Sequence, residues 1–460
     1  MTQASLLSGI TASKAAEFGV SYPRNLEPII VNSGISKGQL RSAAGAVQIG
    51  SGPGIDRAAV NWNDACYRVM GSQLVQVAAD GTVKQLGDVG ADGTANLDYS
   101  FDRLIVRSGT RLYYWDGVAL KQVIDTDLGV ILDAIWISGY TMTTDGKYVV
   151  VTELSDPFQV KPLKYGSAES DPDPITGLIR INNEAAVLNR YTIQFLDNQG
   201  GSGFPFANVG GALINTGCVS ATAKCLFGNT FAFVGSSRGD ALGVHVAGSG
   251  SAKKISTRVI DDALSAEKDP TAIVLERRVS RDELRLLVHL ASETWCFLAK
   301  ASEAAGEPVW YRLGSAQDHA YRPRNAVNVY GRTMVGDVKS PALGTLSSDV
   351  SAHFGEPAEW MFDVGMIYNG GKGAILDSVE LIGLPARGDA GVAFMSVTQD
   401  GVTFGPERGI STGAKGDRQK RMAWRPHARV RNYAGIRFRG YDTAVQGFAA
   451  CEVNARGLGA

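Results

Sequence analysis

The sequence predicts an all-β protein: a β-propeller with an extended N-terminal arm and a C-terminal β-sandwich-like domain. Three observations carry that expectation. Short runs such as "ACYRVM", "QLVQVAADGTVKQLG", "RLIVRS" and "TRLYYWDGVALKQVI" are rich in β-branched and aromatic residues and mostly alternate apolar with polar, which is the period of a half-buried strand. Asp-Gly pairs at 80–81, 92–93, 116–117 and 145–146 separate many of these runs, and a tight hairpin needs the positive φ that glycine adopts freely. Fifty-five glycines with a charged fraction of only 20% argue against long surface helices.

The elements follow in order along 460 residues, 44% of them hydrophobic, a chain with apolar content for a large core and more than one ordinary domain. Residues 1–55, with "YPRNLEPIIVNSG" and "GSGPG", read as an extended arm laid over other elements. No Lys-Ser/Thr pair follows "GSGPG", so it is no phosphate loop. Residues 56–365 form the propeller. Candidate first strands begin near 57, 97, 133, 176, 218, 272 and 320, and a unit of roughly 36–54 residues is one four-stranded blade, which buries its faces only against neighbours. The count is seven blades, with six as the alternative. "STRVIDDALSAEKD" at 256–269 reads as a helix crossing between blades. Residues 366–460 carry longer alternating strands, "AILDSVELIGL", "VAFMSVTQDGVTFG", "KRMAWRPHARVR" and "AGIRFRGY", suited to a small sandwich.

Charge is unevenly spread. The formal net charge is −1, yet segment 415–439 holds nine basic residues against Asp417 alone, so the remainder is acidic. A globally basic nucleic-acid binder is excluded; oppositely charged surfaces are not. Cys66, Cys218, Cys225, Cys296 and Cys451 show no CxxC and have apolar neighbours, as buried thiols do. Five scattered histidines make no metal motif, and His289 in "LRLLVHLAS" reads as a core residue. No cofactor is expected. The N-terminus lacks a secretion signal and no segment is apolar for about 18 residues, so the expectation is a soluble protein made in a cytoplasm without membrane insertion.

The enzymatic alternative is a carbohydrate-binding or sialidase-like propeller. Asp400 and Gly401 in "TQDGVTF" resemble the Asp box of sialidases, but they are adjacent where that motif spaces them by one residue, and a hairpin turn accounts for them. Glu356 and Glu359 in "GEPAEW" are the one local carboxylate pair, expected on solvated surface. No Gly-x-Ser-x-Gly elbow is present. No catalytic residue is assigned.

The stretch "RQKRMAWRPHARVRNYAGIRFRG" (418–440) draws the most attention. Trp424, Pro426, Ala428 and Val430 fall on one face of a strand and Arg425, His427, Arg429 and Arg431 on the other. Pro426 has no backbone donor, which predicts a sheet edge or a bulge. Three readings compete: a solvated face, a DNA grip, and an interface. In a DNA grip every arginine–phosphate contact would add to salt-dependent binding. Arginine forks pair bidentately with carboxylates, and the acidic remainder of the chain supplies them. The candidate interface is therefore Arg418, Arg421, Arg425, Arg429 and Arg431, meeting acidic surface on a neighbouring subunit.

A resemblance rests on further motifs. "NLEP" (Asn25 to Pro28), "SGISKGQLRS" with Arg41, "SAESDPDPITGL" with Glu169 and Pro172, "GFPFANVGGALINTGC" with Phe204 and Phe206, "KKIST" with Ser256, and "QDGVTFGPERGI" with Asp400 and Gly401 occur in this order. Together they resemble the packaged-DNA stabilisation proteins, the tail hub or nozzle family of short-tailed Salmonella-type phages. The segment "RSAAGAV" lacks the proline that family members often place before the glycine, here Gly45, and 300–365 matches poorly. The resemblance implies a structural virion protein of the tail. It implies a self-assembled ring, hexameric, below the portal and adaptor rings, with a tail needle or plug and tailspike or fibre proteins as further partners. Double-stranded DNA would pass through the ring non-specifically and be retained until ejection.

Overall fold

The computed structural model describes the chain apart from residues 1, 8, 13–17, 31–37, 155, 168–171, 249, 281–282, 318, 369–371, 384–389, 418, 432 and 459–460. Strands dominate the described residues, with short α-helices at Arg258–Ala266 and Ala299–Ala305. The first helix lies where the sequence predicts one; the second has no counterpart in that reading.

Seven four-stranded sheets follow one another, so the propeller has seven blades and the six-blade alternative falls. The first blade is the meander Asp56–Trp62, Ala65–Met70, Gln73–Val77 and Val83–Asp88. The inner strands of the next five begin at Ala95, Asp133, Ile175, Lys224 and Val274, close to the positions read from the pattern. The seventh sheet takes Pro323–Val329, Arg332–Asp337 and Ala342–Ser347 and is completed by Gly45–Ser51. The segment expected as an overlaid arm thus contains strands integral to other sheets. Leu26–Ile29 and Gln39–Ser42 pair with each other, and the latter also pairs with Gly447–Gly457. The physical reason is that extended backbone leaves donors and acceptors unsatisfied unless a ladder takes them.

The chain divides into two compact units, residues 48–291 with 323–345, and residues 1–47 with 292–322 and 346–460. In the first, apolar faces of neighbouring blades interlock: Trp62, Tyr67, Val69 and Leu74 of blade one meet Leu104, Val106, Tyr113 and Trp115 of blade two. Buried carboxylates then clasp the inner strands. Register shifts after Ile175 and Arg324 leave backbone N–H groups without ladder partners. The Leu178 amide donates to Asp133 at 2.8 Å, and those of Asn325 and Ala326 donate to Glu276 at 2.9 and 3.1 Å. Asn325 also donates its side-chain amide to Asp56 at 2.7 Å, and Asp56 pairs with the fully buried Arg68 at 2.8 Å. Beside Glu276, His289 is buried with Nε2 3.3 Å from the carboxylate. Burial, reinforced by the Arg324 charge, holds this imidazole down at about 4.

In the second unit two sheets face each other. One runs Met422–Trp424, Ala374–Gly383, Gly447–Gly457, Gln39–Ser42, Leu26–Ile29; the other runs Ala358–Tyr368, Tyr433–Asp442, Val392–Thr398, Arg408–Ser411. The sandwich therefore begins at Ala358, inside the stretch read as propeller, because Ala358–Tyr368 pairs along its length with Tyr433–Asp442. Trp360, Phe362, Phe438 and Phe448 fill its centre, with the Phe362 and Phe438 rings 5.2 Å apart.

All five cysteines are free; four are buried and Cys225 is half-buried. Burial pushes Cys218 up to about 11 and Cys225 and Cys451 up to about 12, so they are inert thiols at neutral pH.

Candidate interface on the terminal sandwich

The alternation read at 424–431 is present. Met422, Trp424, Pro426 and Val430 are buried, while Ala423, Arg425, His427, Arg429 and Arg431 are exposed. The stretch is two short strands, Met422–Trp424 and Ala428–Val430, both paired with Ala374–Gly383. Trp424 stands opposite Val379 and Ala428 opposite Leu376, so Arg425, Pro426 and His427 oppose only two residues. His427 absorbs the extra residue at φ 47°. Pro426 sits in this bulge, where its missing donor costs no ladder bond. Edge and bulge both hold.

Two carbonyls at this edge are already taken. The Arg425 carbonyl accepts from Arg408 Nη1 at 2.8 Å and the Arg429 carbonyl from Gln399 Nε2 at 2.8 Å. Trp424 fixes the approach of Arg408 by donating its indole N–H to the Arg408 carbonyl at 2.7 Å. With those acceptors occupied, what this edge offers a partner is side chains.

The arginines divide into two sets. Arg421 makes a two-pronged contact with Glu380, at 2.7 and 2.5 Å, and holds that carboxyl below its ordinary range. Arg456, on Gly447–Gly457, does the same to Asp377 at 2.6 and 2.9 Å. Arg437 forks onto Asp363 at 2.7 and 2.9 Å, with its guanidinium over the Phe404 ring. Arg439 joins Glu359 and Glu407, and Arg24 reaches Glu359 from the other side at 3.4 Å. Among the described residues no carboxylate pairs with Arg425, Arg429 or Arg431. Arg418 lies outside the described residues. The basic stretch therefore offers fewer free charges than its composition suggests, because Arg421, Arg437 and Arg439 are spent internally.

The carboxylates weighed for catalysis are likewise occupied. Glu356 pairs with Arg322 at 2.7 Å, and Glu359 is not solvated surface but the half-buried centre of the Arg24–Arg439 network. Asp400 accepts from the amides of Val402 and Thr403 and from the Thr398 hydroxyl, which holds its carboxyl far below the ordinary range. Gly401 follows at φ 75°. This is a hairpin turn.

The motif positions sit at structural joints. Asn25, at φ 53°, exchanges hydrogen bonds with the Gly314 backbone and donates to the Glu359 carbonyl at 2.7 Å. Pro28 lies on an edge strand, and Arg41 pairs with Glu27 at 2.9 Å. Phe204 packs on Phe206, whose ring meets Tyr140. The Ser256 hydroxyl donates to Asp261 at 2.6 Å at the start of the first helix. Pro172 is exposed, and Glu169 lies outside the described residues. Sequence reasoning missed the internal partners of the arginines. Asp363, Asp377, Glu380 and Glu407 are dispersed over the chain, and only strand pairing brings them into reach.

Comparison with known proteins agrees with this architecture. Residues 2–351 match the family described as "Bacteriophage P22 Gp10, beta-propeller" and residues 359–456 the family described as "Bacteriophage P22 Gp10, beta-sandwich". The tail hub protein gp10 of Salmonella phage P22 is 24% identical over 454 residues, covering 91% of each chain. Among solved structures, the N-terminal domain of Nup159 is similar at 10% identity and TM-score 0.42, over 72% of this chain and 99% of that one. The Neurospora crassa Pan2 WD40 domain is similar at 10% identity and TM-score 0.40, over 66% and 95%. Matched in both its propeller and its sandwich, the chain belongs to the bacteriophage P22 Gp10 family, the tail hub family that its motifs resemble.

Proposed function

We propose that this chain is a structural subunit of a phage tail hub that assembles with copies of itself through Arg425, Arg429 and Arg431. The observation that carries the reading is the exposed arginine triplet, without a carboxylate partner among the described residues, on a sheet edge where the Arg425 and Arg429 carbonyls are already occupied. Such an edge presents cations for a charge-selective contact. An acidic surface on the neighbouring copy receives the triplet, and head-to-tail contacts of this kind close into a ring, six subunits on the family resemblance. In that arrangement the ring lies between the portal and adaptor rings and the plug, with tailspike or fibre proteins outside. The genome passes through it, retained until ejection without a tight grip. The role is mechanical rather than catalytic, in line with carboxylates committed to turns and ion pairs.

Reversing the triplet with Arg425→Glu, Arg429→Glu and Arg431→Glu tests the reading. Sedimentation velocity should show loss of the assembled species while circular dichroism stays unchanged. Intact assemblies that lose duplex affinity instead would transfer the triplet to DNA contact and end the interface assignment.

A further inference from the structure

Resting on that assembly reading, we infer that the acidic, apolar-tipped end of blades two and three is the surface that receives the arginine edge of a second copy of this chain. In a four-stranded meander the first and third turns share one end. In blade two these are residues 100–103 and 116–119, and they carry Phe101 and Val118, 90% and 86% exposed. In blade three they are residues 138–139 and 152–164, and the second holds Leu154 and Leu163, 59% and 74% exposed. Single exposed apolar residues are ordinary, but here four lie in turns at the same end of two neighbouring blades, and clustered apolar exposure is what marks an interaction site.

The Phe101 ring meets the edge of Trp136 of the neighbouring blade with centroids 5.7 Å apart, and Arg180 lies over Trp136 at 5.3 Å. Phe101 nevertheless stays 90% exposed, an aromatic of the kind enriched at interfaces.

Charge identifies the occupant. Asp102 and Asp116 flank Phe101 and Val118 in the same two turns, and Asp64 and Asp80 occupy the corresponding turns of blade one; all four are exposed. Asp102 is already paired with Arg103, whereas Asp116, held low by the backbone amides of Ala119 and Val118, stays ionised and open to a partner. Residues 56–173 as a whole hold 17 acidic against 10 basic residues. A patch of fixed carboxylates around an exposed aromatic ring suits guanidinium groups twice over, through forked hydrogen bonds and through stacking on the ring. Arg425, Arg429 and Arg431 lie along the same bulged sheet edge, exposed and without a carboxylate partner among the described residues. The two surfaces differ, so the contact is head-to-tail and every subunit contributes both halves.

Two one-sided variants decide the matter. Variant one carries Arg425→Glu, Arg429→Glu and Arg431→Glu; variant two carries Phe101→Ser, Val118→Ser and Asp116→Asn. Circular dichroism and unfolding midpoints confirm that each folds. By native mass spectrometry, each alone should lose the wild-type assembly, with association at least about tenfold weaker. Mixed, they should form a 1:1 dimer and nothing larger, since the intact tips of variant one meet the intact arginines of variant two once only. Raising salt should dissolve the dimer. If variant two assembles like wild type while variant one does not, the arginine edge stands and the blade-tip surface is overturned. Assembly of both, or wild-type protein that stays monomeric, overturns the interface reading as well; two variants that fail alone and make no dimer when mixed overturn the pairing.

Discussion

Asp56–Arg68 in the propeller and Arg421–Glu380 in the sandwich are both arginine–carboxylate pairs, and they do opposite things. The first is wholly buried, and Arg68 Nη2 also donates to the carbonyls of Asn325 and Met334 at 2.8 and 3.2 Å, so one guanidinium serves blades one and seven at once. The second pair sits on an outward sheet face with the Arg421 side chain 71% exposed. Burying charge makes each partner indispensable to the other, because a lone ion in the interior has no solvent to turn to. Exposed charge leaves stability almost untouched and stays available to a partner molecule. The comparison separates arginines that hold the fold from arginines that present a surface, a distinction composition does not contain.

The sharpest way to break the comparison is Arg68→Ala. It strands Asp56 in the interior and should cost about 3–5 kcal/mol of unfolding free energy, read from the shift in the urea midpoint. A change as small as that of a surface variant would remove Arg68 from the blade closure. Next in size is a pH effect. The folded His289 imidazole takes its proton near 4 against an ordinary 6.5, so between these values the unfolded chain binds more protons. Its contribution is present above pH 6.5 and is lost as pH falls towards 4, about 2 kcal/mol between pH 7 and pH 5. Glu276, held below its ordinary range chiefly by Arg278 against the cost of burial, adds a loss of the same sign at lower pH. His289→Gln should flatten the pH 5–7 part of the stability curve; an unchanged slope would contradict the assignment. The smallest effect belongs to Arg421→Ala, which should leave the unfolding midpoint where it is and sharpen the contrast with Arg68.

Much of this architecture is legible in the sequence for a local reason. Period-two alternation and Asp-Gly turns are written in adjacent residues, so the inner strands at Asp56, Ala95, Asp133, Ile175 and Val274 emerge from pattern alone. The N-terminal strands are not legible in this way. Gly45–Ser51 and Gln39–Ser42 look like an arm because their partners, Ala342–Ser347 and Gly447–Gly457, are hundreds of residues away. The sandwich start at Ala358 is hidden likewise, since its partner is Tyr433–Asp442. The arginine face at 425–431 is readable because a strand's two faces follow from spacing, and Pro426 announces the bulge. Which arginines remain free is not readable: Asp363 and Glu407 reach Arg437 and Arg439 only across strand pairs.

The central claim is that Arg425, Arg429 and Arg431, without a carboxylate partner among the described residues, serve assembly rather than folding. The most direct test is native mass spectrometry of the full chain beside the variant with Arg425, Arg429 and Arg431 all changed to Glu. The account predicts a closed multiple of the 48.8 kDa chain for the wild type and a monomer with an unchanged unfolding midpoint for the variant. A variant that assembles like the wild type, or a wild-type chain that remains a monomer at every concentration, would contradict it.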